Sequence, residues 1–230
     1  KTGSVCGGAP ELGTKDCFQY FLITTMDNIN QLRQFSAATL HEALGRTGNL
    51  PSAIKPIHSG MKVCGPAYTV KTMPRDNMLL HRAYAYAKPG DIIVASCSGF
   101  YEAGYWGDLM SLGAKTQGIG GLVIDGCVRD ADDIEALGFP VFSRGLCIRG
   151  TTNFGEGTLN EPIVIGECLI HPGDIIVGDR DGVVVVPQTR IEEAIEKAIA
   201  REAREESVRE QLRLGKTSLQ IYGWDKKFGY

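Results

Sequence analysis

Residues 120–133 read Gly120-Gly121-Leu122-Val123-Ile124-Asp125-Gly126-Cys127-Val128-Arg129-Asp130-Ala131-Asp132-Asp133. The branched apolar run Leu122 to Ile124, opened by a glycine pair, predicts a buried strand. Asp125-Gly126 then turns the chain, and Ala131 to Leu137, closed by Gly138, has the composition of a short helix. A strand that runs into a helix start is the local unit of an α/β sheet, and ligands of such sheets sit at the carboxyl ends of the strands. This one stretch therefore predicts a fold class and a place for a site.

The same alternation extends upstream. Strands are predicted at Met61 to Val63, Ala67 to Thr72 and Asp91 to Ala95, with helices over Met78 to Ala87 and Leu109 to Lys115. Apolar residues Ile29, Leu32, Phe35, Leu40 and Leu44 recur at helical spacing and predict a helix over Asn28 to Leu44, strongest from Ser36 and stopped by Gly45. Downstream, Ile163 to Ile165, Glu167 to Ile170, Asp174 to Val177 and Val183 to Val186 read as a meander of β-hairpins. The hexapeptide Pro-Gly-Asp-Ile-Ile-Val stands twice, at 89–94 and 172–177, and predicts two similar strand starts. From about residue 189 a capping-box pattern, Thr189-Arg190-Ile191-Glu192, opens a long charged helix with its apolar stripe at Ile191, Ile195, Ile199 and Val208. Residues 1–17, rich in Gly and small polar types, are expected to be a flexible lead-in. Order is expected from Phe18, with 18–230 one domain.

Composition narrows the class of function. A chain of 230 residues with 43% hydrophobic content can bury a full core unaided. A net charge of -3 with no Lys/Arg block argues against a nucleic-acid partner. No apolar run is long enough to span a membrane and no signal pattern opens the chain, so the expected location is cytoplasmic. The seven cysteines, at 6, 17, 64, 97, 127, 147 and 168, form no C-x-x-C pair, which argues against a disulfide framework or structural zinc.

The chemistry concentrates where the fold reading began. A carboxylate at a helix start lies in positive potential that keeps it ionised, so Asp130 suits a hard cation. Arg129 beside it offers a planar fork for a substrate carboxylate. Together they suit a 2-oxo acid, whose enolate a cation and an arginine would stabilise as the C3–C4 bond breaks. The plainer alternative is that Asp130, three residues before Asp133, is an N-cap. Gly118, Gly120 and Gly121 precede their strand, whereas a dinucleotide fingerprint needs glycines after it. His41, His58, His81 and His171 are scattered without metal-ligand spacing. Lys55, Lys62, Lys71, Lys88 and Lys115 remain open as Schiff-base nucleophiles, Lys115 being nearest in sequence to the site. Tyr101, Tyr105 and Trp106 are either ordinary packing or a hydrophobic substrate wall, and Arg75, His81 and Arg149 are possible anion contacts.

Trp106-Gly107-Asp108-Leu109-Met110, Gly120 to Gly126, Arg129-Asp130, Gly138 to Phe142, Pro172-Gly173-Asp174 and Asp179 to Pro187, in this order, resemble the RraA-like family, over roughly residues 28–222. That family includes class II 4-hydroxy-4-methyl-2-oxoglutarate / 4-carboxy-4-hydroxy-2-oxoadipate aldolases. The resemblance implies an α/β fold with a β-sandwich-like core flanked by helices and a long C-terminal helix. It implies cleavage of a 4-hydroxy-2-oxo di- or tricarboxylate to pyruvate and a second oxo acid, with oxaloacetate decarboxylation as a side activity. Gly107, Asp108, Leu109 and Met110 would meet the pyruvyl group, Arg129 would bind substrate and stabilise the enolate, and Asp130 would be the direct ligand of Mg²⁺ or Mn²⁺. Asp133 would support the site without touching the metal. A homotrimer or hexamer with sites between subunits is implied, Glu205 or Glu206 of a neighbour being candidates to approach the metal. The alternative carried by the resemblance is a non-enzymatic regulator that binds a ribonuclease.

Overall fold

The structure, a computed structural model, describes residues 27–229. The expected lead-in at 1–17 and the expected onset of order at Phe18 lie outside the described residues, as do Cys6 and Cys17. The elements run α1 (Ala37–Ala43), β1 (Lys55–Pro56), β2 (Val63–Thr72), α2 (Met78–Tyr86), β3 (Ile92–Ser96), α3 (Asp108–Thr116), β4 (Gly121–Asp125), β5 (Cys127–Val128) and α4 (Ala131–Leu137). They continue with β6 (Val141–Ser143), β7 (Gly145–Leu146), β8 (Gly157–Leu159), β9 (Ile163–Ile165), β10 (Cys168–Ile170), β11 (Ile175–Asp179), β12 (Gly182–Val186), α5 (Ile191–Arg213), α6 (Ser218–Ile221) and α7 (Trp224–Phe228).

The predicted α/β class holds. Its centre is one eight-stranded sheet in the order β1-β6-β4-β3-β2-β11-β12, with β8 also on β2. The sheet curls until its ends approach: Lys55 of β1 donates its Nζ to Asp181 O beside β12, and Asn49 bridges to Val184. Side chains alternate along the buried strands and serve two cores. Ile92, Val94, Val123, Phe142, Ile176 and Val185 pack with one another, whereas the intervening Ile93, Ala95, Leu122 and Ile124 pack against Leu80 of α2, Ala114 of α3 and Ile134 of α4. On β11 and β12, Ile175, Val177, Val184 and Val186 meet Leu40 of α1 and Ala194 of α5.

Both copies of the repeated hexapeptide feed strands that flank β2. Ile92 pairs with Ala67 in the parallel β2·β3 ladder and Ile175 pairs with Pro66 in the antiparallel β2·β11 ladder. This arrangement corrects the expected break between residues 63 and 67. Pro66 has no N–H to donate, yet β2 runs through it, because its partner changes at that point from β11 to β3.

Three other expectations change. The predicted helix over 28–44 is interrupted: residues 27–32 are helical, the chain turns, and α1 starts afresh where Ser36 Oγ accepts from Thr39 N at 3.0 Å. The predicted meander is two separate hairpins, β9–β10 and β11–β12, and only the second joins the main sheet. The predicted capping box at Thr189 does not form. Pro187 is followed by a 3₁₀ turn, Gln188–Arg190, which places Thr189 inside the turn, and Arg190 instead grips Glu193 with two bonds at 2.8 and 3.1 Å. Exposed ion pairs along α5, such as Arg209–Glu205 at 3.1 Å, contribute only about 0.3–0.5 kcal/mol each. Burial of Ile191, Ala194, Ile195 and Ala198 therefore holds the first half of this helix, while Ile199, expected in the stripe, is 56% exposed. No helix among the described residues is long and apolar enough to cross a membrane.

Candidate active site

The segment carrying Arg129 is fixed by backbone on both sides. Arg129 N donates to Trp106 O and Cys147 N to Val128 O, each at 2.9 Å, while Gly104 N donates to Arg149 O at 2.8 Å. Gly104 permits this three-way packing, since a Cβ there would collide with Cys147 O and sit 3.2 Å from Arg129 Cβ. All of this lies just beyond the carboxyl end of β4, where the sequence placed the site.

Asp130 occupies the N-cap position of α4 but does not cap it. Its backbone is left-handed (φ 58, ψ 40) and its side chain makes no capping bond. The carboxylate turns to a different helix: Oδ2 lies 3.3 Å from Arg129 Nε and 3.4 Å from Asp108 N, the first residue of α3. The plainer reading of Asp130 as a cap is thus not what the residue does. Non-glycine residues in this region of φ/ψ space are strained and persist where the surroundings demand them.

Helix α3 presents its start to the same point. Gly107 at its N-cap supplies no side chain, and Ser111 N bonds Gly107 O at 3.0 Å, so the helical pattern leaves the Leu109 and Met110 N–H groups without intrahelical partners. Such groups form a site for negative charge. Trp106 anchors the turn by donating Nε1 to Ser111 Oγ at 2.8 Å and stacking on Phe139 at 6.2 Å. The result is a cavity of ≈ 130 Å³ lined by Gly107, Asp108, Leu109, Met110 and Arg129, with Asn77, His81, Gly104, Tyr105, Trp106 and Thr151 completing the wall. The predicted substrate-contacting residues therefore share one cavity. Asp130 does not line it but sets its carboxylate against two wall residues, Asp108 and Arg129, whereas Asp133 is exposed in the first turn of α4 and does not line it.

The lysine alternatives gain nothing from the structure. No lysine lines this cavity, and Lys115 is tied to Leu137 O. Among the described residues no three or more His, Cys, Asp or Glu side chains converge as a ready-made metal cage. A single carboxylate open to water, 33% exposed, is a donor set that Mg²⁺ tolerates because that ion keeps several waters.

A family model described as RraA-like, Aldolase/RraA, matches residues 37–185. The chain belongs to the RraA-like family. A protein of Halalkalibacterium halodurans named "Putative 4-hydroxy-4-methyl-2-oxoglutarate aldolase" is 40% identical over 182 residues, which cover 79% of this RraA-like chain and 87% of that protein. A solved structure of an uncharacterized protein from Pseudomonas syringae pv. tomato superposes with a TM-score of 0.74 at 33% identity, covering 85% of this chain and 96% of the other. Streptomyces coelicolor RraAS2, described as an unusual member of the RNase ES inhibitor RraA protein family, gives 0.71 at 30% identity, covering 80% and 96%.

Three wall residues of this RraA-like site, Asn77, Gly104 and Thr151, escaped the sequence reading. Asn77 stands before α2 as a cap would, yet its Nδ2 donates to Tyr105 O at 3.1 Å. Thr151 follows a glycine and carries no local signal. His81, expected as a possible anion contact, lines the cavity. Arg149 uses its carbonyl to hold Gly104 and its side chain is not part of the wall. Trp106 and Tyr105 are buried packing residues that also face the cavity, and Tyr101 lies under Arg144 at 4.8 Å instead.

Gly107 gives a prediction here. Its backbone (φ -142, ψ -169) suits any residue, but a Cβ would collide with Asp130 Oδ2 and approach Arg129 Nε to 3.4 Å. Gly107→Ala should keep the fold, at a cost of about 1–3 kcal/mol, and lower turnover about 100-fold by displacing the carboxylate. Thermal unfolding and turnover measured on one preparation check both halves.

Proposed function

We propose that this RraA-like chain is a divalent-metal-dependent lyase that cleaves a 4-hydroxy-2-oxo di- or tricarboxylate, such as 4-hydroxy-4-methyl-2-oxoglutarate or 4-carboxy-4-hydroxy-2-oxoadipate, to pyruvate and a second oxo acid. The observation that carries the proposal is the meeting of Arg129 and the start of α3 at one small cavity, with the Asp130 carboxylate against both. Mg²⁺ or Mn²⁺ held by Asp130, with waters in its remaining positions, would act as a Lewis acid for the charge that develops on the keto oxygen. Arg129 binds the substrate carboxylate through its fork and shares that charge. The Leu109 and Met110 amides add fixed dipoles that need no reorganisation during the reaction. Asp108, which lines the cavity, would accept the 4-hydroxyl proton as the C3–C4 bond breaks. The bonding pair moves into the pyruvate enolate, which is then protonated at C3. Loss of CO₂ from oxaloacetate leaves the same enolate, so that decarboxylation is part of the proposal.

The proposal includes a homo-oligomer, trimer or hexamer, with sites between subunits, and exposed apolar side chains near the cavity support association. Leu109 is 77% exposed there and Ile148, beyond the Cys147 contact, is 96% exposed. Covering them with a second copy would remove apolar surface from water and exclude water from the site. In the chain itself Glu205 and Glu206 pair with Arg209.

The likeness to RraAS2 favours one second reading, a protein-binding regulator of a ribonuclease. Pyruvate release, followed with lactate dehydrogenase, from oxaloacetate and from 4-carboxy-4-hydroxy-2-oxoadipate decides between them. Mg²⁺-dependent release that EDTA abolishes is expected. Folded protein that releases pyruvate from neither compound would overturn the lyase reading.

A further inference from the structure

Beside the reaction cavity lies a second one of ≈ 300 Å³, whose wall Arg75 shares with the apolar Met73 and Phe154. Arg75 is an unexpected residue for its place. Its backbone is left-handed at φ 65, a conformation that glycine adopts without strain and a long side chain does not. The position is also firmly held: Arg75 N donates to Tyr105 Oη at 2.9 Å, and Arg75 O accepts from Thr152 N at 2.6 Å and Thr152 Oγ1 at 3.0 Å. The turn thus confines the backbone to a geometry that favours glycine, so packing alone gives no reason for an arginine.

The guanidinium is uncompensated. Its Nε is buried and has no hydrogen-bond partner, and no carboxylate among the described residues lies within ion-pair distance of it. The adjacent Asp76 is occupied elsewhere. Its carboxylate accepts from Met78 N at 3.0 Å, from Gly155 N at 3.2 Å, from Thr152 Oγ1 at 3.5 Å and from Phe154 N. Glu156, the other acid of the wall, is exposed and therefore hydrated. A buried Nε–H left without an acceptor is costly, and the half-buried guanidinium is a planar fork that a carboxylate fits best.

The two cavities are neighbours in the fold. Tyr105 lines the reaction cavity and touches the Arg75 backbone with its hydroxyl, Asp76 and Asn77 fall one on each side, and so do Thr152 and Thr151. We propose that the second cavity is a carboxylate subsite with Arg75 as its cation, and that it receives the carboxylate retained on the second oxo acid that cleavage releases, a half that oxaloacetate lacks. The use of the subsite by substrate rests on the lyase reading; the anion site itself does not. Met73 and Phe154 would flank the carbon chain of that half, so the subsite selects longer, acid-terminated substrates over oxaloacetate.

The test uses the full chain and Arg75→Gly, a variant whose new residue suits φ 65 and should fold. Malonate, a dicarboxylate without a keto group, is titrated while the Arg Nε–H resonances are followed by NMR, that of Arg75 being assigned by its disappearance in the variant. A saturable shift of the Arg75 signal is expected, and an unmoved signal overturns the subsite. In parallel, Arg75→Gly should lower kcat/KM for 4-carboxy-4-hydroxy-2-oxoadipate at least tenfold and leave oxaloacetate decarboxylation unchanged. A malonate-responsive Arg75 with an unchanged ratio of the two activities overturns its assignment to the substrate. If the wild-type chain turns over neither compound, the lyase reading fails, and the malonate titration alone decides whether the anion site exists.

Discussion

Arg129→Ala is expected to lower kcat for pyruvate release about 10²–10³-fold, the cost typical of removing one preorganised donor from developing negative charge. KM should change less than kcat, because the donor matters most once the enolate forms. Stability should fall by no more than about 1 kcal/mol. The Arg129 side chain is 48% exposed and its ion pair with Asp130 is single and partly hydrated, and such pairs contribute little to folding. The backbone bond from residue 129 to Trp106 does not involve the side chain and survives the change. Single-turnover kinetics on folded variant protein checks this, and an unchanged kcat removes Arg129 from the chemistry.

Asp130 gives the larger effect. Asp130→Asn should reduce activity to the metal-free background, a loss of about 10³-fold or more, since it removes the carboxylate proposed to hold the cation and with it a Lewis acid worth several kcal/mol. Asparagine is the informative replacement. It keeps the size of the side chain and tolerates the left-handed backbone at φ 58, whereas alanine would add strain of about 1 kcal/mol and blur loss of charge with loss of shape. Metal titration by calorimetry should lose its binding isotherm in the variant together with its activity. Full activity of Asp130→Asn at the same Mg²⁺ concentration would show that the cation, if any, sits elsewhere.

Much of the fold was legible because its signals are local and repeated. The apolar run at 122–124 and the two hexapeptides read correctly as strand starts, since strands buried on both faces are continuous and glycine-bounded. What failed was long-range. A chain reader ends a strand at Pro66, and only the switch of β2 from one partner to another allows the proline to stay. Thr189 has a perfect local capping pattern, but Pro187 starts a turn ahead of it and the helix begins two residues later. Short strands β5 and β7 were missed because each is two residues long and exists only through the other.

The candidate site was legible in parts for the same reason. Arg129 and Asp130 carry local signals, residues 107–110 were implied by the family resemblance, and the structure adds that they converge. The unusual backbone of Asp130 and its reach to α3 depend on Gly107, 23 residues upstream, and no spacing rule links the two. Asn77, Thr151 and the uncompensated charge of Arg75 come from tertiary contacts between the 73–77 turn and the 151–155 segment, which sequence order keeps far apart.

The central claim is that this site stabilises a pyruvate enolate, whatever the other half of the substrate is, and proton exchange on pyruvate itself tests it most directly. Pyruvate incubated with the full chain and Mg²⁺ in D₂O should lose its methyl proton signal by NMR faster than in Mg²⁺ buffer alone. EDTA should stop the enzymatic part, and Arg129→Ala should slow it. Folded, Mg²⁺-supplied protein that leaves the methyl signal at the buffer rate would contradict the account.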